Sequence, residues 1–220
     1  MNTLEDITKG AASRKRPMIG LTILVVEDSR FACEALRIIC LRSGARIRRA
    51  DCLGSARRHL TTYRPNVMIV DIGLPDGSGI DLIREVKQSF DIPPVILATS
   101  GDDLNYKSAL RAGASGFLAK PLESIHEFQS VVLRHFPGRP ALQSVHDIGD
   151  PVEPDELAYR DDLCHAQILL QDGMTPYVST FIHSIATSAK DHALLSALSA
   201  NDAHKLDQTL TTAIDSITPF

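Results

Sequence analysis

The chain has 220 residues, 44% hydrophobic and 23% charged, with no tryptophan and a formal net charge of −4. That length allows one domain with a sizeable core plus a smaller appendage, in a soluble globular protein. A membrane or secreted protein is not expected: no apolar run approaches the ~20 residues of a span, and the first twenty residues lack a secretory apolar stretch.

Residues 1–19 read as a flexible lead-in. The first strand signal is TILVV (22–26), short and branched, followed at once by Glu27 and Asp28. A helix follows in SRFACEALRIICLRSG, with Ser29 as N-cap, Gly44 as stop, and Phe31, Ala35, Ile38, Ile39 and Cys40 on its apolar face. Cys33 and Cys40 lie on that helix, and with Cys52 and Cys164 they form no C-x-x-C pair or metal cluster. Packing is the expected role, in keeping with a reducing cytoplasm.

Further strands are ARIRRA (45–50), VMIVD (67–71), PVILAT (94–99) and GFLA (116–119). Helical stretches GSARRHLTTY, SGIDLIREVKQ, DLNYKSALRAG and LESIHEFQSVVLRHF alternate with them. Strict β-α alternation predicts a doubly wound parallel sheet with helices on both faces. The near-wholly apolar first, third and fourth strands belong at its centre, and the arginine-rich second strand at an edge.

Proline and glycine breaks crowd residues 136–156, and a linker is expected over 138–154. Residues 155–220 then read as helical. Tyr159, Leu163, Ala166 and Leu170 share one face, Asp172-Gly173 ends that run, and Pro176 opens a segment with Phe181, Ile182, Ile185 and Ala189. Leu206, Leu210 and Ile214 mark a last helix, with Ser199 and Asp202 as its start signal.

Ligand sites in open α/β sheets lie outside the carboxyl ends of the strands. Glu27 and Asp28, Asp71, Thr99, and Lys120 fall at four such ends. Crowded carboxylates repel unless a cation neutralises them, and hard oxygen ligands suit Mg²⁺. Asp71 could then attack phosphorus as a nucleophile, with Lys120 and Thr99 on the phosphoryl oxygens. A lone strand-end aspartate is more often a cap, but five matches at four strand ends in order speak against that.

The pieces VVEDSR, MIVDIGLPDGSGIDLI, ILATS and GASGFLAKPL make residues ~20–137 resemble the receiver domain of bacterial two-component response regulators. The resemblance implies a flavodoxin-like five-stranded sheet of order 2-1-3-4-5. It implies phosphorylation of Asp71 by a sensor histidine kinase or phosphotransfer protein, with self-catalysed transfer and dephosphorylation rather than turnover of a separate substrate. It further implies Mg²⁺ held by Asp28, Asp71 and the Gly73 carbonyl, with Glu27 completing the acidic pocket. Thr99 and Lys120 would bind the phosphoryl group, and Thr99 and Phe117 would form the switch pair. Gly73 and Gly101 flank the pocket, so easy access to Asp71 and a labile phosphoryl group are expected.

Charge is split along the chain: residues 1–150 hold 20 Lys and Arg against 17 Asp and Glu, whereas 151–220 hold 3 against 10. Nucleic-acid affinity rests on basic side chains, so DNA binding by the last third is not expected, and a helical interaction module is. ALLSALSANDAHKLDQTL faintly resembles a degenerate histidine-phosphotransfer bundle, with Thr211 near the histidine position and His165 and His183 out of context. The arginines Arg37, Arg42, Arg46, Arg48, Arg49, Arg57 and Arg58 read as a solvated face. The alternative is that they dock the acidic segment, within the chain or across a homodimer. Two rival functions stay open: a transcriptional regulator with an unusual output domain, and an aspartyl-phosphate phosphatase. For the latter the D-x-D pattern is missing, since Ile-Gly-Leu follows Asp71. The downstream partner is not legible.

Overall fold

The computed structural model of the protein describes residues 16–91, 93–102, 104–139, 152 and 154–217. In chain order these form β1 (Thr22–Val26), α1 (Arg30–Arg42), β2 (Arg46–Ala50), α2 (Leu53–Thr62), β3 (Val67–Asp71) and a small hairpin of β4 (Gly73–Leu74) and β5 (Gly77–Ser78). There follow α3 (Gly79–Ser89), β6 (Val95–Ser100), α4 (Asn105–Ala112), β7 (Gly116–Ala119) and α5 (Ile125–Leu133). The helical part comprises α6 (Glu156–Gln171), α7 (Pro176–Ala189), α8 (His192–Ser199) and α9 (Ala203–Ser216).

The main sheet is parallel and runs β2-β1-β3-β6-β7. Counting its strands in sequence order gives 2-1-3-4-5, the expected doubly wound arrangement. Successive side chains of a strand point to opposite faces, and β1 shows the result. Ile23 and Val25 join Leu36, Ile39, Phe128 and Val132 under α1 and α5. Leu24 and Val26 join Leu82, Ile83, Val86 and Ala109 under α3 and α4. β2 pairs only with β1 and exposes Arg46, Arg48 and Arg49, as an edge strand should.

One glycine is needed for a close approach. A Cβ on Gly79, the first residue of α3, would stand 2.0 Å from the backbone oxygen of Asp71. Its absence lets α3 start directly beneath the tip of β3.

The lead-in expectation needs correction at its end. Met18 is fully buried, its N–H donates to Ser43 O at 2.9 Å, and Arg139 Nη1 donates to the carbonyls of Pro17 and Ile19. Residues 1–15 and most of the expected linker, 140–151 and 153, lie outside the described residues.

Among the described residues the last third holds four helices rather than the three expected. The extra one, α8, spans only eight residues between two left-handed turns, Lys190 (φ 57°) and Asn201 (φ 51°). Each helix begins with a side-chain cap: Asp155, Thr175, Asp191 and Asp202 accept from backbone N–H groups of the first turn. Leu163, Ala166, Phe181, Ile182, Ile185, Leu194, Leu206 and Leu210 form the core of this module. Phe31 of α1 belongs to the same core, its ring 5.3 Å from that of Tyr159. The two parts of the chain are therefore packed together.

Candidate functional site

The site is built at the carboxyl edge of the sheet. Asp71 ends β3 and is paired in register with Thr99 of β6, so both side chains issue from neighbouring points on one face. Glu27 follows β1, its N–H held by Ala50 O at 2.9 Å, and its Oε1 accepts from Ser29 N at 3.3 Å. Lys120 follows β7, where its N–H is held by Ser100 O at 3.1 Å. The ladder hydrogen bonds thus continue past the strand ends and fix where these side chains start.

The structure brings together the expected carboxylates and lysine. One carboxylate oxygen each of Glu27, Asp28 and Asp71 lie within 4.8 Å of one another. Lys120 Nζ stands 2.8 Å from Glu27 Oε2 and 3.2 Å from Asp71 Oδ1. Glu27, Asp71, Thr99 and Lys120 are all buried, Asp71 being only 2% exposed. Burial is the main cause that pushes Asp28 up to about 8, aided by the charges of Glu27 and Asp71. Burial likewise pushes Asp71 up to about 7; Lys120 opposes this and Glu27 reinforces it. One ammonium pairs with two of the three carboxyl groups, Glu27 and Asp71, and the donor set is all oxygen. Those features fit a divalent hard cation such as Mg²⁺, which Glu27, Asp28 and Asp71 would hold. Its chemistry there would be neutralisation of negative charge gathered near Asp71.

Thr99 Oγ1 is buried and has no hydrogen-bond partner among the described residues. A buried hydroxyl left unpaired costs about 1–3 kcal/mol, so its presence beside Asp71 calls for an acceptor that arrives from outside. Phe117 lies on β7, half-buried, edge-on to Tyr106 with ring centroids 5.7 Å apart. Gly73 opens the hairpin directly after the Asp71 strand.

What sequence reasoning missed is a second wall. Tyr177 of α7 donates from its hydroxyl to Asp28 Oδ2 at 2.8 Å, and Lys120 Nζ donates to Ser184 Oγ at 2.7 Å. A Cβ on Gly73 would meet Thr180 Cγ2 at 2.5 Å, and one on Gly101 would meet His183 Nδ1 at 3.3 Å. The two glycines therefore receive α7 instead of leaving Asp71 open, and the expectation of easy access is overturned. A cavity of about 420 Å³ persists between the walls, lined by Asp71, Ser100, Asn105, Thr180, His183 and Ser184 among others.

The anchor of this wall is Asp162 of α6. Its carboxylate accepts from the N–H groups of Arg30 (2.9 Å) and Phe31 (3.0 Å) and from Ser29 Oγ (2.7 Å). These are first-turn amides of α1 without intrahelical partners, so a residue 132 positions away in sequence from Arg30 caps the helix. The expected alternative, docking of the acidic segment on the arginine stripe, has a different geometry. Docking runs through the start of α1, where Arg30 also pairs with Asp161, while Arg37 and Arg57 pair with Glu34 and Glu85. Thr211 Oγ1 accepts from Gln167 Nε2 and donates to Asp207 O. His183, expected to be structural or solvated, is the histidine that lines the Asp71 cavity.

A doubly wound sheet whose carboxyl edge gathers three carboxylates, a lysine and a hydroxyl defines the first part of the chain as a signalling receiver domain. The family model described as the response regulator receiver domain matches residues 23–131. That part of the chain belongs to this family.

Among curated relatives, the KDP operon transcriptional regulatory protein KdpE of Escherichia coli K12 is 34% identical over 108 residues, covering 49% of this chain and 48% of KdpE. The phosphate regulon transcriptional regulatory protein PhoB of Pseudomonas aeruginosa is 29% identical over 127 residues, covering 55% of this chain and 56% of PhoB. The chain thus spans about half the length of the curated relatives it matches. Among solved structures, the receiver domain of NtrX from Brucella abortus is 28% identical, with a TM-score of 0.47, covering 51% of this chain and 95% of that one.

Proposed function

We propose that the protein is a phosphorylation-dependent switch of a two-component system, in which Asp71 accepts a phosphoryl group from a partner's phosphohistidine. The observation that carries this reading is the buried hydroxyl of Thr99, unpartnered among the described residues and in register with Asp71, with Lys120 Nζ 3.2 Å from Asp71 Oδ1. Asp71 Oδ would bond to phosphorus as the donor's P–N bond breaks, and the imidazole would leave with a proton. Lys120 and Thr99 would hold the phosphoryl oxygens, where the transition state concentrates charge. Glu27 and Asp28 would complete the Mg²⁺ site. No separate substrate is turned over, so this is not a conventional enzyme, and we place its work in the cytoplasm with the kinases that feed it.

Incubation with phosphoramidate and Mg²⁺ tests the reading. Intact and peptide mass spectrometry should show one phosphoryl group on Asp71, absent in Asp71→Asn and without the metal. Failure to modify Asp71 after prolonged incubation, both in wild type and in Asp162→Ala, which removes the α6 cap on α1, would end the proposal.

We further propose that the output is protein interaction rather than DNA binding, since residues 151–220 carry only Arg160, Lys190 and Lys205 against ten acids. A transcriptional role is the second reading, favoured by the names of KdpE and PhoB. Salt-dependent retardation of genomic DNA fragments by the full chain would favour it, and no retardation at low salt would favour the first.

A further inference from the structure

We propose that the helical module and an incoming phosphodonor compete for one face of the receiver, so that α6 and α7 act in cis as a rival of the donor protein. The proposal rests on the reading of Asp71 as phosphoacceptor.

Phosphoryl transfer to Asp71 needs phosphorus in line between the carboxylate oxygen and the leaving nitrogen. The donor must therefore approach from outside the tip of β3, over the rim formed by Gly73, Gly101 and the start of α1. α7 lies on that rim. Thr180 fills the space above Gly73, and His183 and Thr187 fill that above Gly101. Asp71 is left 2% exposed. The cavity of about 420 Å³ that remains is walled on one side by Ser179, Thr180, His183 and Ser184 of α7. A histidine carried on the surface of another protein would have to enter past these side chains.

The same helices also take hold of the chemical groups that transfer requires. Tyr177 occupies an oxygen of Asp28, and Ser184 accepts from Lys120. At the start of α1, Asp162 caps the amides of Arg30 and Phe31, and Phe31 inserts into the module's core. These contacts are lost if α6 and α7 lift away, and a donor docked on this face requires that they do. Linkage is reciprocal: whatever loads the pocket more readily in the lifted state must favour lifting.

Three forms of the full chain test the proposal. Asp162→Ala and, separately, Thr180→Arg release the module, the first by removing the cap and the second by placing a long side chain over Gly73. Gly101→Cys with Thr187→Cys locks it, because a Cβ at 101 lies 3.3 Å from the Thr187 Cβ, close to disulfide spacing. The probe is phosphoramidate with Mg²⁺, followed by mass spectrometry of the Asp71 peptide, and circular dichroism confirms unchanged helix content.

Released forms should be modified about tenfold faster than wild type, the scale set by loss of a charge-assisted hydrogen-bond cluster. The oxidised locked form should be slowest, and reduction should restore the wild-type rate. Beryllofluoride with Mg²⁺ should also speed hydrogen exchange at Arg30 and Phe31 in wild type but not in the oxidised locked form. Equal rates in released, wild-type and oxidised forms would overturn the competition while leaving Asp71 as acceptor. Failure of every form, released ones included, to modify Asp71 would overturn the phosphoacceptor reading itself.

Discussion

The hydroxyl of Tyr177 donates to Oδ2 of Asp28 at 2.8 Å, joining two groups 149 positions apart in sequence. The bond reaches from the middle of the helical module into the acidic pocket at the sheet edge. It gives a half-buried carboxylate one neutral partner in a place where two other carboxylates crowd it.

Tyr177→Phe removes that partner and little else. We expect a loss of about 1 kcal/mol in metal-free unfolding free energy, the net value of one such hydrogen bond. The deficit should shrink in saturating Mg²⁺, where the cation offers Asp28 a stronger partner. Urea denaturation with and without the metal measures both.

Thr99→Val should act in opposite directions on stability and function. The hydroxyl has no partner among the described residues, so replacing it by a methyl of similar shape should leave metal-free stability unchanged or raise it by about 1 kcal/mol. Phosphoramidate labelling of Asp71 should nevertheless fall, with loss of any conformational response to beryllofluoride. A drop of several kcal/mol in stability would show that the hydroxyl is already satisfied.

Lys120→Met strips the only ammonium paired with Glu27 and Asp71 among the described residues. Breaking a buried ion pair from one side costs about 3–5 kcal/mol. The cost should be largest near pH 8 and smaller near pH 5, where the carboxyl groups can take up protons instead. Chemical denaturation at the two pH values gives the comparison.

Metal-free wild type should itself lose stability as pH rises. Asp28 and Asp71 are pushed up to about 8 and about 7 from the usual 3.8, burial being the main cause in both. The folded chain therefore binds more protons than the unfolded chain between pH ~4 and ~8, and stability falls across that window. The slope is limited to about 1.4 kcal/mol per pH unit for each proton by which the two states differ. Mg²⁺ should flatten it. A stability that climbs from pH 5 to pH 8 without metal would contradict the pocket's electrostatics.

The receiver fold and its acidic edge were legible because both are written locally. Alternating apolar segments set the sheet, and the residues that end β1, β3, β6 and β7 sit next to the strands that aim them. The docked module was not legible. Asp162, Tyr177, Thr180, His183 and Ser184 are polar residues on helices whose apolar stripe already explains the pattern, so nothing in the sequence sets them apart. Gly73 and Gly101 were noticed, but a missing side chain looks the same whether water or another helix fills the space. The short helix α8 escaped because two turns give too little periodicity to register.

Phe31 carries a practical consequence for anyone who works with fragments. It is rooted in α1 of the receiver, yet its ring is counted among the core residues of α6 to α9. Expressed without the last third of the chain, the receiver would show that ring to water beside a helix start that keeps only Ser29 as its cap, and an unveiled Asp71. Such a fragment would be stickier and quicker to react than its parent, and rates measured on it would overstate what the intact chain does at rest.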